Sequence, residues 1–502
     1  MPTEQQVIDA LSTEHLQADL KGRSVRGSAL TITSQGTQFL ISSVMTVVLA
    51  RLLTPADFGL VAMVTAVTAL GQAFADVGLS EATIQREDIS HAQVTALFWI
   101  NLAVGIGLTL LTMGLGPVLA RLDRQPRLTH IAFWLSFVFL IGGLRVQPDA
   151  ILKRQMRFKA LAIRDITCTA LGVAVAVVMA WRSAGYWALV AFPLTSGFIQ
   201  MSFSWVLTKW RPSVPWRGAN VRSLVAFGGN VAVSYFIYNT NRSVDKILVG
   251  WYWNAGPLGL YGRACNLLLL PLRQLSAPVA NVVIPAFSRI QSDPERYARY
   301  YLRAINMIVW VLAPVFAFLF IAARPVIALV LGSQWGQAAP VFQILAVSAL
   351  GQLLFDSTIW LFVSRGRSDR MRNLYLVISP IIIASYVVGL RFGIKGVAAA
   401  YSAVLLATLP WVLKVAFRGT AITLSRLRRA LMYPISLGLL GVVFGEIALR
   451  VLTPAGILAQ LFVTGLGIGA AFCVLFATPK VRAEIIALKG LVREFGLAKQ
   501  AA

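Results

Sequence analysis

The chain of 502 residues is 57% hydrophobic, and only 13% of its residues are charged. A soluble globular protein has about 25% charged residues, so this composition excludes a soluble enzyme, a disordered scaffold and a receptor with one membrane anchor. In a soluble protein, a net charge of +25 would indicate nucleic-acid binding. Here the basic residues stand in short clusters between apolar runs, which is typical of loops at the cytoplasmic face of a lipid bilayer.

Fourteen apolar segments follow one another along the chain, and we expect each to form one membrane-spanning helix. They are predicted at residues 28–50, 58–80, 94–119, 131–146, 161–181, 186–207, 223–249, 258–287, 304–322, 338–363, 374–390, 396–413, 431–449 and 457–477. The sequence therefore predicts an all-α polytopic membrane protein with about 14 transmembrane helices.

The distribution of basic residues predicts the orientation of these helices. With the N-terminus in the cytoplasm, thirty Lys and Arg residues fall in cytoplasmic segments, nine fall on the opposite side and six lie within or at the ends of spans. Because basic residues concentrate on the cytoplasmic side, we expect an even number of spans and cytoplasmic N- and C-termini.

An internal duplication is visible in the sequence. TPADFGLVA at 54–62 aligns with NAGPLGLYG at 254–262, and GYWALVA at 185–191 aligns with GIKGVAA at 393–399. These pairs predict two six-helix lobes related by a pseudo-two-fold axis along the membrane normal, as in parallel-repeat transporters. The cleft between the lobes is the expected substrate path, and two further helices follow at the C-terminus.

The predicted domains follow from this duplication. They are a polar cytoplasmic N-terminal segment (1–27), an N-lobe with spans 1 to 6 (28–207), a cytoplasmic linker (208–222), a C-lobe with spans 7 to 12 (223–413), a second linker (414–430), spans 13 and 14 (431–477) and a basic cytoplasmic tail (478–502).

Span 8 carries a polar stripe. Four of its side chains fall within about 80° of one another on an ideal helix, namely Arg263, Asn266, Gln274 and Asn281. Three prolines at intervals of seven residues lie close to the same face and free backbone carbonyl groups. Such carbonyls are tolerated at membrane depth only beside protein or a water-filled cavity, so the stripe predicts one wall of a polar cavity.

Arginines inside the spans need a partner or wet surroundings, since one at the bilayer centre costs at least roughly 2.5 kcal/mol. For Arg263 and Arg273 one interpretation is pairing with Asp245 or Asp356, and the other is contact with a substrate anion, because guanidinium groups suit phosphate oxygens. Arg242 is a weaker candidate, which Asp245 can neutralise at a spacing of three residues. The two acids either bind a cation or balance an arginine.

Arg145 and the adjacent pair Arg164 and Asp165 are predicted near the cytoplasmic mouth. One interpretation is contact with an entering lipid headgroup, and the other is a snorkelling role without contact to substrate.

Several stretches resemble a known family. ARLLTPADFG (50–59), LGLYGRACNLLLLPLRQL (258–275), LGSQW (331–335) and the run from Trp360 to Arg367 followed by Asp369 are similar to the polysaccharide-exporting branch of the multidrug/oligosaccharidyl-lipid/polysaccharide superfamily. The positions that match motifs of this branch are Arg51, Tyr261, Arg263, Trp360, Gly366 and Arg367.

The resemblance implies a flippase in the bacterial inner membrane, with no enzymatic activity. It would move undecaprenyl-pyrophosphate-linked oligosaccharide units to the outer leaflet for exopolysaccharide, capsule or O-antigen synthesis, with a polysaccharide polymerase as a partner. The implied pyrophosphate ligands are Arg263, Arg273, Arg242 and Arg51. Polar faces of the predicted helices, together with the motif positions, give the expected sugar and cavity residues, which are Asn266, Gln274, Asn281, Asn241, Tyr238, Tyr261, Gln352, Trp360, Gln35 and Gln72. Arg145, Arg164 and Arg367 are expected at the cytoplasmic entrance.

Two other classes of function compete with this one. A cation-coupled multidrug exporter shares the two-lobe architecture, but its relatives commonly carry an acidic residue in span 1, and residues 28–50 contain none. A membrane glycosyltransferase needs acidic residues in a loop-borne site, and the extracytoplasmic loops contain only Asp57 and Asp123. No metal or organic cofactor is expected, and coupling to a proton or sodium gradient or to the membrane potential stays open.

Overall fold

A computed structural model describes residues 20–75, 79–85, 89–213 and 243–484, apart from the side chains of a few residues within the helices. In these ranges every regular element is helical. The elements are α1 (Leu20–Leu52), α2 (Pro55–Ala75), α3 (Leu79–Gln85), α4 (His91–Leu122), α5 (Arg127–Arg154), α6 (Phe158–Trp181), α7 (Trp187–Thr208), α8 (Val244–Trp253), α9 (Ala255–Arg289), α10 (Pro294–Ile321), α11 (Ala323–Val330), a 3-10 helix (Ser333–Trp335), α12 (Ala338–Ser364), α13 (Ser368–Leu390), α14 (Gly393–Phe417), α15 (Leu424–Leu452) and α16 (Ile457–Phe476). The predicted all-α class is confirmed.

Ten helices in the described part of the chain are long and apolar enough to cross a membrane. They are α4, α5, α6, α7, α10, α12, α13, α14, α15 and α16, and they confirm a polytopic membrane protein. Helices α1, α2 and α9 coincide with three further predicted spans. The predicted span at 223–249 lies mostly outside the described residues, so the count of 14 stays a prediction.

Three short helices were not predicted from the sequence. They are α3, α11 and the 3-10 helix, and each is too short to show the apolar periodicity of a spanning helix. Burial of large side chains accounts for two of them. Trp335 of the LGSQW stretch is 0% exposed, and so is Ile327 of α11.

Local side chains set the beginnings of several helices. Ser90 accepts a hydrogen bond from the backbone N–H of Gln93 at the start of α4, and the Gln93 side chain bonds back to the Ser90 N–H. Asp293 and Thr423 accept equivalent bonds at the starts of α10 and α15. These caps satisfy backbone donors that a helix leaves free in its first turn.

The chain divides into two compact units, Met1–Gly259 and Leu260–Ala502. Within the first unit, α5 packs against α4 and α7, and α6 packs against α7 and α1. Leu97, Phe98 and Trp210 belong to one buried apolar cluster of this unit.

The second unit contains pairings of the same kind. Here α14 packs against α12 and α13, while α15 packs against α10 and α16. The pairs α12–α14 and α13–α14 correspond to α5–α7 and α6–α7 of the first unit at the spacing of the sequence repeat. The recurrence supports the duplication that the sequence predicts.

Candidate functional site

A cluster of charged side chains joins α5, α6 and α7 of the first unit. Arg164 forms ion pairs with Asp149 and, at 2.7 Å from Nη2 to Oδ1, with Asp165. Its Nη1 also donates to the hydroxyl of Ser204 at 2.6 Å, and that hydroxyl donates to Asp149 Oδ1 at 2.6 Å. Arg145 lies 3.4 Å from Asp149 Oδ2 and donates to the side chain of Gln200. We call these six residues the charged cluster.

The charged cluster is electrically balanced, with two arginines and two aspartates. Arg164 is only 4% exposed, and a buried ion is tolerated when its partners satisfy it by charge and by hydrogen bonds. Its guanidinium is bound by three protein side chains from three helices. This arrangement favours a role in holding the helices together, whereas the Arg145 side chain keeps 32% of its surface accessible.

A chain of polar contacts joins α12 and α14 in the second unit. The Tyr401 hydroxyl donates to Gln352 Oε1, and Gln352 Nε2 donates to Asp356 Oδ1 at 2.9 Å. The Tyr401 ring stacks on Tyr386, with centroids 5.5 Å apart. These contacts fix the amide orientation of Gln352, so the structure brings together two residues that the sequence singled out, Gln352 and Asp356.

Helix α9 exposes part of its predicted polar stripe. The side chains of Asn266, Arg273 and Gln274 are exposed, Arg263 is half-buried, and Tyr261 is only 2% exposed. The helix runs without interruption from Ala255 to Arg289 despite its three internal prolines. The Asn281 side chain is not among those described.

The remaining predicted site residues are placed as follows. Arg51 is exposed in the last turn of α1, Gln35 and Gln72 are exposed on α1 and α2, and Asp245 is buried in the first turn of α8. Trp360 on α12 is 5% exposed. The predictions for Tyr238, Asn241 and Arg242 fall outside the described residues.

Arg367 lies half-buried at the start of α13, in a groove that it shares with Arg370 and Arg418. The turn before it contains Gly366 with a φ of +62°. Glycine adopts this conformation without strain, whereas a residue with a side chain is strained there. This accounts for the glycine at a motif position between α12 and α13.

Sequence reasoning missed three residues that organise these contacts. Asp149 stands four residues after Arg145, a spacing that indicates an ion pair on one helix face, so this signal was available. Ser204 and Tyr401 have no such signal, because their partners lie on other helices at a distance of 40 or more residues in the chain.

Ion pairs and hydrogen-bonded polar side chains inside a polytopic helical bundle are features of membrane transporters. Polar groups at membrane depth line transport pathways or pair with one another. The chain belongs to the family described as polysaccharide biosynthesis protein, whose model matches residues 48–340.

Relatives of the chain include proteins of polysaccharide synthesis in several bacteria. The chain is 24% identical to the lipopolysaccharide biosynthesis protein WzxC of Escherichia coli (strain K12), over 68% of this chain and 71% of that protein. It is 26% identical to the succinoglycan biosynthesis transport protein ExoT of Rhizobium meliloti (strain 1021), over 67% of each. It is 25% identical to the teichuronic acid biosynthesis protein TuaB of Bacillus subtilis (strain 168), over 60% of this chain and 63% of that protein.

Solved structures with a similar fold are transporters of the superfamily that the sequence resembles. The lipid II flippase MurJ in an inward closed conformation matches with a TM-score of 0.71 and 13% identity, over 90% of this chain and 99% of that one. An inward-facing multidrug resistance transporter of the MATE family matches with a TM-score of 0.59 and 15% identity, over 77% of this chain and 96% of that one. The family and the fold are those of transport proteins, not of enzymes.

Proposed function

We propose that the protein is a flippase in the inner membrane of a bacterium, with its termini in the cytoplasm. Its cargo is an oligosaccharide linked through pyrophosphate to a polyprenyl lipid, which it moves to the outer leaflet by alternating access. The family match over residues 48–340 and the MurJ-like fold support this function. A polysaccharide polymerase that uses the delivered units is the proposed partner.

The observation that carries the proposal is the polar face of α9. This helix has three arginines and no acidic residue between Ala255 and Arg289, and its amide side chains Asn266 and Gln274 are uncovered. A pyrophosphate needs cationic ligands, and a sugar chain needs hydrogen-bonding side chains. Arg263 and Arg273 are the proposed ligands of the pyrophosphate, with Asn266 and Gln274 as ligands of the sugars.

The other polar groups have supporting roles in this proposal. Gln352, held by Tyr401, contacts the sugar or a bridging water. Asp356 and Asp245 balance positive charge or carry the coupling ion. Arg51 and Arg242 contribute further positive charge for the pyrophosphate, and Arg145 and Arg367 line the cytoplasmic entrance.

Depletion of the protein in its native host tests this function. We expect the lipid-linked oligosaccharide to accumulate facing the cytoplasm, where an added impermeant glycosidase cannot reach it in intact spheroplasts, and the extracellular polymer to fall. Re-expression of the wild-type protein should reverse both effects. Normal polymer together with an oligosaccharide that remains accessible from outside would overturn the proposal.

The similarity to a MATE transporter keeps one other function open, which is cation-coupled export of drugs. Helix α1 carries no acidic residue from Leu20 to Leu52, which counts against that function. Efflux of a cationic dye that depends on a proton or sodium gradient, in cells with unchanged polymer synthesis, would favour the exporter over the flippase.

A further inference from the structure

A basic groove lies where α13 begins and α14 ends in the second unit. Its volume is about 540 Å³, and its lining includes Arg367 and Arg370 of α13, Arg418 after α14, and the apolar side chains of Val377 and Trp411. We call this the basic groove. It is distinct from the polar face of α9.

The positive charge of the basic groove is not neutralised within the part of the chain that the structure describes. None of the ion pairs found there involves Arg367, Arg370 or Arg418. Asp369 is close in the chain, but its exposed side chain does not line the groove. Burial lowers the pKa of the neighbouring Arg365, and the charges of Arg367 and Arg370 lower it further, as expected for cations that gather without a counterion.

The backbone around the basic groove adds to this potential. Helix α13 begins after Arg367 with no side-chain hydrogen bond to its N-cap, so its free N–H groups favour an anion. The carboxylate of Asp369 in the same turn offsets part of the positive end of the dipole. Arg365 donates to the carbonyl oxygens of Arg418 and Gly419, at 3.2 Å and 2.9 Å. These bonds hold the segment that carries Arg418, so the third arginine is positioned before any ligand arrives.

One side of the basic groove is apolar and uncovered. Trp411 is 42% exposed and Val377 is 50% exposed, on two helices that are apolar enough to cross a membrane. In a bilayer these side chains face acyl chains, so a ligand of the basic groove has a charged and an apolar surface to contact. A lipid would contact both, because its acyl chains would lie along the helices while its phosphate meets the arginines at the membrane surface.

We propose that the basic groove binds an anionic phospholipid with two phosphates, of the cardiolipin class. Three guanidinium groups and a free helix N-terminus match a headgroup with two negative charges better than a singly charged one. The proposal concerns a lipid bound at the edge of the second unit. It shares Arg367 with the proposed cytoplasmic entrance, but it needs neither a flipping activity nor a particular cargo.

Native mass spectrometry and fluorescence titration of the purified full-length protein in detergent test this site. The ligands are cardiolipin, phosphatidylglycerol, zwitterionic phosphatidylethanolamine, undecaprenyl pyrophosphate and inorganic pyrophosphate. We expect cardiolipin to bind most tightly. The triple variant Arg367→Gln/Arg370→Gln/Arg418→Gln should weaken cardiolipin binding about tenfold or more, since each basic residue near the membrane surface strengthens the attraction of an anionic lipid.

The matched control is Arg299→Gln/Arg428→Gln/Arg429→Gln, which removes the same charge from three exposed positions outside the basic groove. It should change the affinity less than about threefold. Equal weakening by both triple variants would show a general surface charge effect and overturn the proposal. Tighter binding of undecaprenyl pyrophosphate than of cardiolipin would also overturn it and assign the groove to cargo.

Two further measurements separate lipid binding from anion binding and from misfolding. Trp411→Gln should weaken cardiolipin binding and leave the binding of inorganic pyrophosphate unchanged, and equal affinity for the lipid and for inorganic pyrophosphate would contradict a lipid site. Arg370→Gln alone, checked by size-exclusion chromatography, gives a milder variant that should still lower the affinity severalfold if the triple variant does not fold.

Discussion

Gly59 and Gly259 make reciprocal close contacts between α2 and α9. A Cβ atom on Gly59 would overlap the carbonyl oxygen of Ala255, and one on Gly259 would overlap the carbonyl oxygen of Pro55. The two glycines are equivalent in the sequence repeat, and so are Pro55 and Ala255. The two close contacts are therefore made by equivalent positions of the sequence repeat. Only glycine lets two helices approach this closely.

Substitution of either glycine should destabilise this contact. Gly59→Ala and Gly259→Ala force the helices apart, and we expect each to cost about 1–3 kcal/mol, the usual cost of overpacking. Gly256→Ala on the same helix is the control, because an added Cβ there meets no atom within 4 Å. The measurement is the thermal unfolding midpoint in detergent, and equal midpoints for Gly259→Ala and Gly256→Ala would contradict the contact.

Removal of Asp149 should destabilise the first unit strongly. Asp149→Asn leaves Arg164 buried with half of its countercharge, and loss of one partner of a buried ion pair costs about 3–5 kcal/mol. Asp165→Asn should cost less, because the Asp165 side chain is 28% exposed. The double variant Asp149→Asn/Arg164→Met should recover part of the stability in a double-mutant cycle. Wild-type stability of Asp149→Asn would show that the charged cluster does not hold the helices.

Tyr401→Phe tests the polar chain of α12 and α14. The variant keeps the ring that stacks on Tyr386 but loses the hydroxyl that orients Gln352, so we expect a loss of only about 1 kcal/mol in stability and a severalfold lower transport rate. Tyr401→Ala should lower the unfolding midpoint further because it also removes the ring. Unchanged transport by Tyr401→Phe would exclude a role for the orientation of Gln352.

The stability of the protein should depend on pH through Asp123, which follows α4. Burial raises the pKa of its carboxyl group above the ordinary value, and the residue is 7% exposed. A raised pKa means that folding favours the protonated form, so its contribution to stability is complete at pH values below the ordinary carboxyl pKa and is lost as the pH rises through the raised value.

Asp123→Asn removes this dependence. We expect the variant to have a higher unfolding midpoint than the wild type at pH 7, and the difference to disappear as the pH falls below the ordinary carboxyl pKa. Asp369→Asn, at an exposed site on the first turn of α13, is the control for a change of charge alone. If the unfolding midpoints of the wild type and Asp123→Asn changed with pH in parallel, the prediction would be contradicted.

Much of the fold follows from apolar segment length alone. A run of about 20 apolar residues has one stable arrangement in a bilayer, because every backbone polar group must be bonded within the helix. The helices α4 to α7 and α12 to α16 therefore lie where the sequence places them. Short elements such as the helix at Ser333–Trp335 depend on packing of one side chain against distant residues, and no local pattern predicts them.

In the candidate site, too, contacts within one helix could be predicted from the sequence and contacts between helices could not. The polar stripe of α9 and the contact between Gln352 and Asp356 follow from helical spacing within one segment. The bonds from Arg164 to Asp149 and from Tyr401 to Gln352 join different helices, so they depend on a packing register that one sequence does not contain. For this reason the sequence places Arg164 near the cytoplasmic mouth without its partner Asp149, whereas in the structure Arg164 is buried and paired with it.

The most direct test of the proposed flippase is the transbilayer movement of a fluorescent, pyrophosphate-linked oligosaccharide lipid in proteoliposomes. Arg263→Ala is compared with the wild type, with Arg263→Lys and with Arg289→Ala, a control at the exposed end of the same helix. Loss of charged hydrogen bonds to phosphate is worth about 1.5–3 kcal/mol, so Arg263→Ala should flip the lipid at least about tenfold more slowly, with Arg263→Lys between it and the wild type. Flipping by Arg263→Ala at the rate of Arg289→Ala and the wild type would contradict the proposed role of α9.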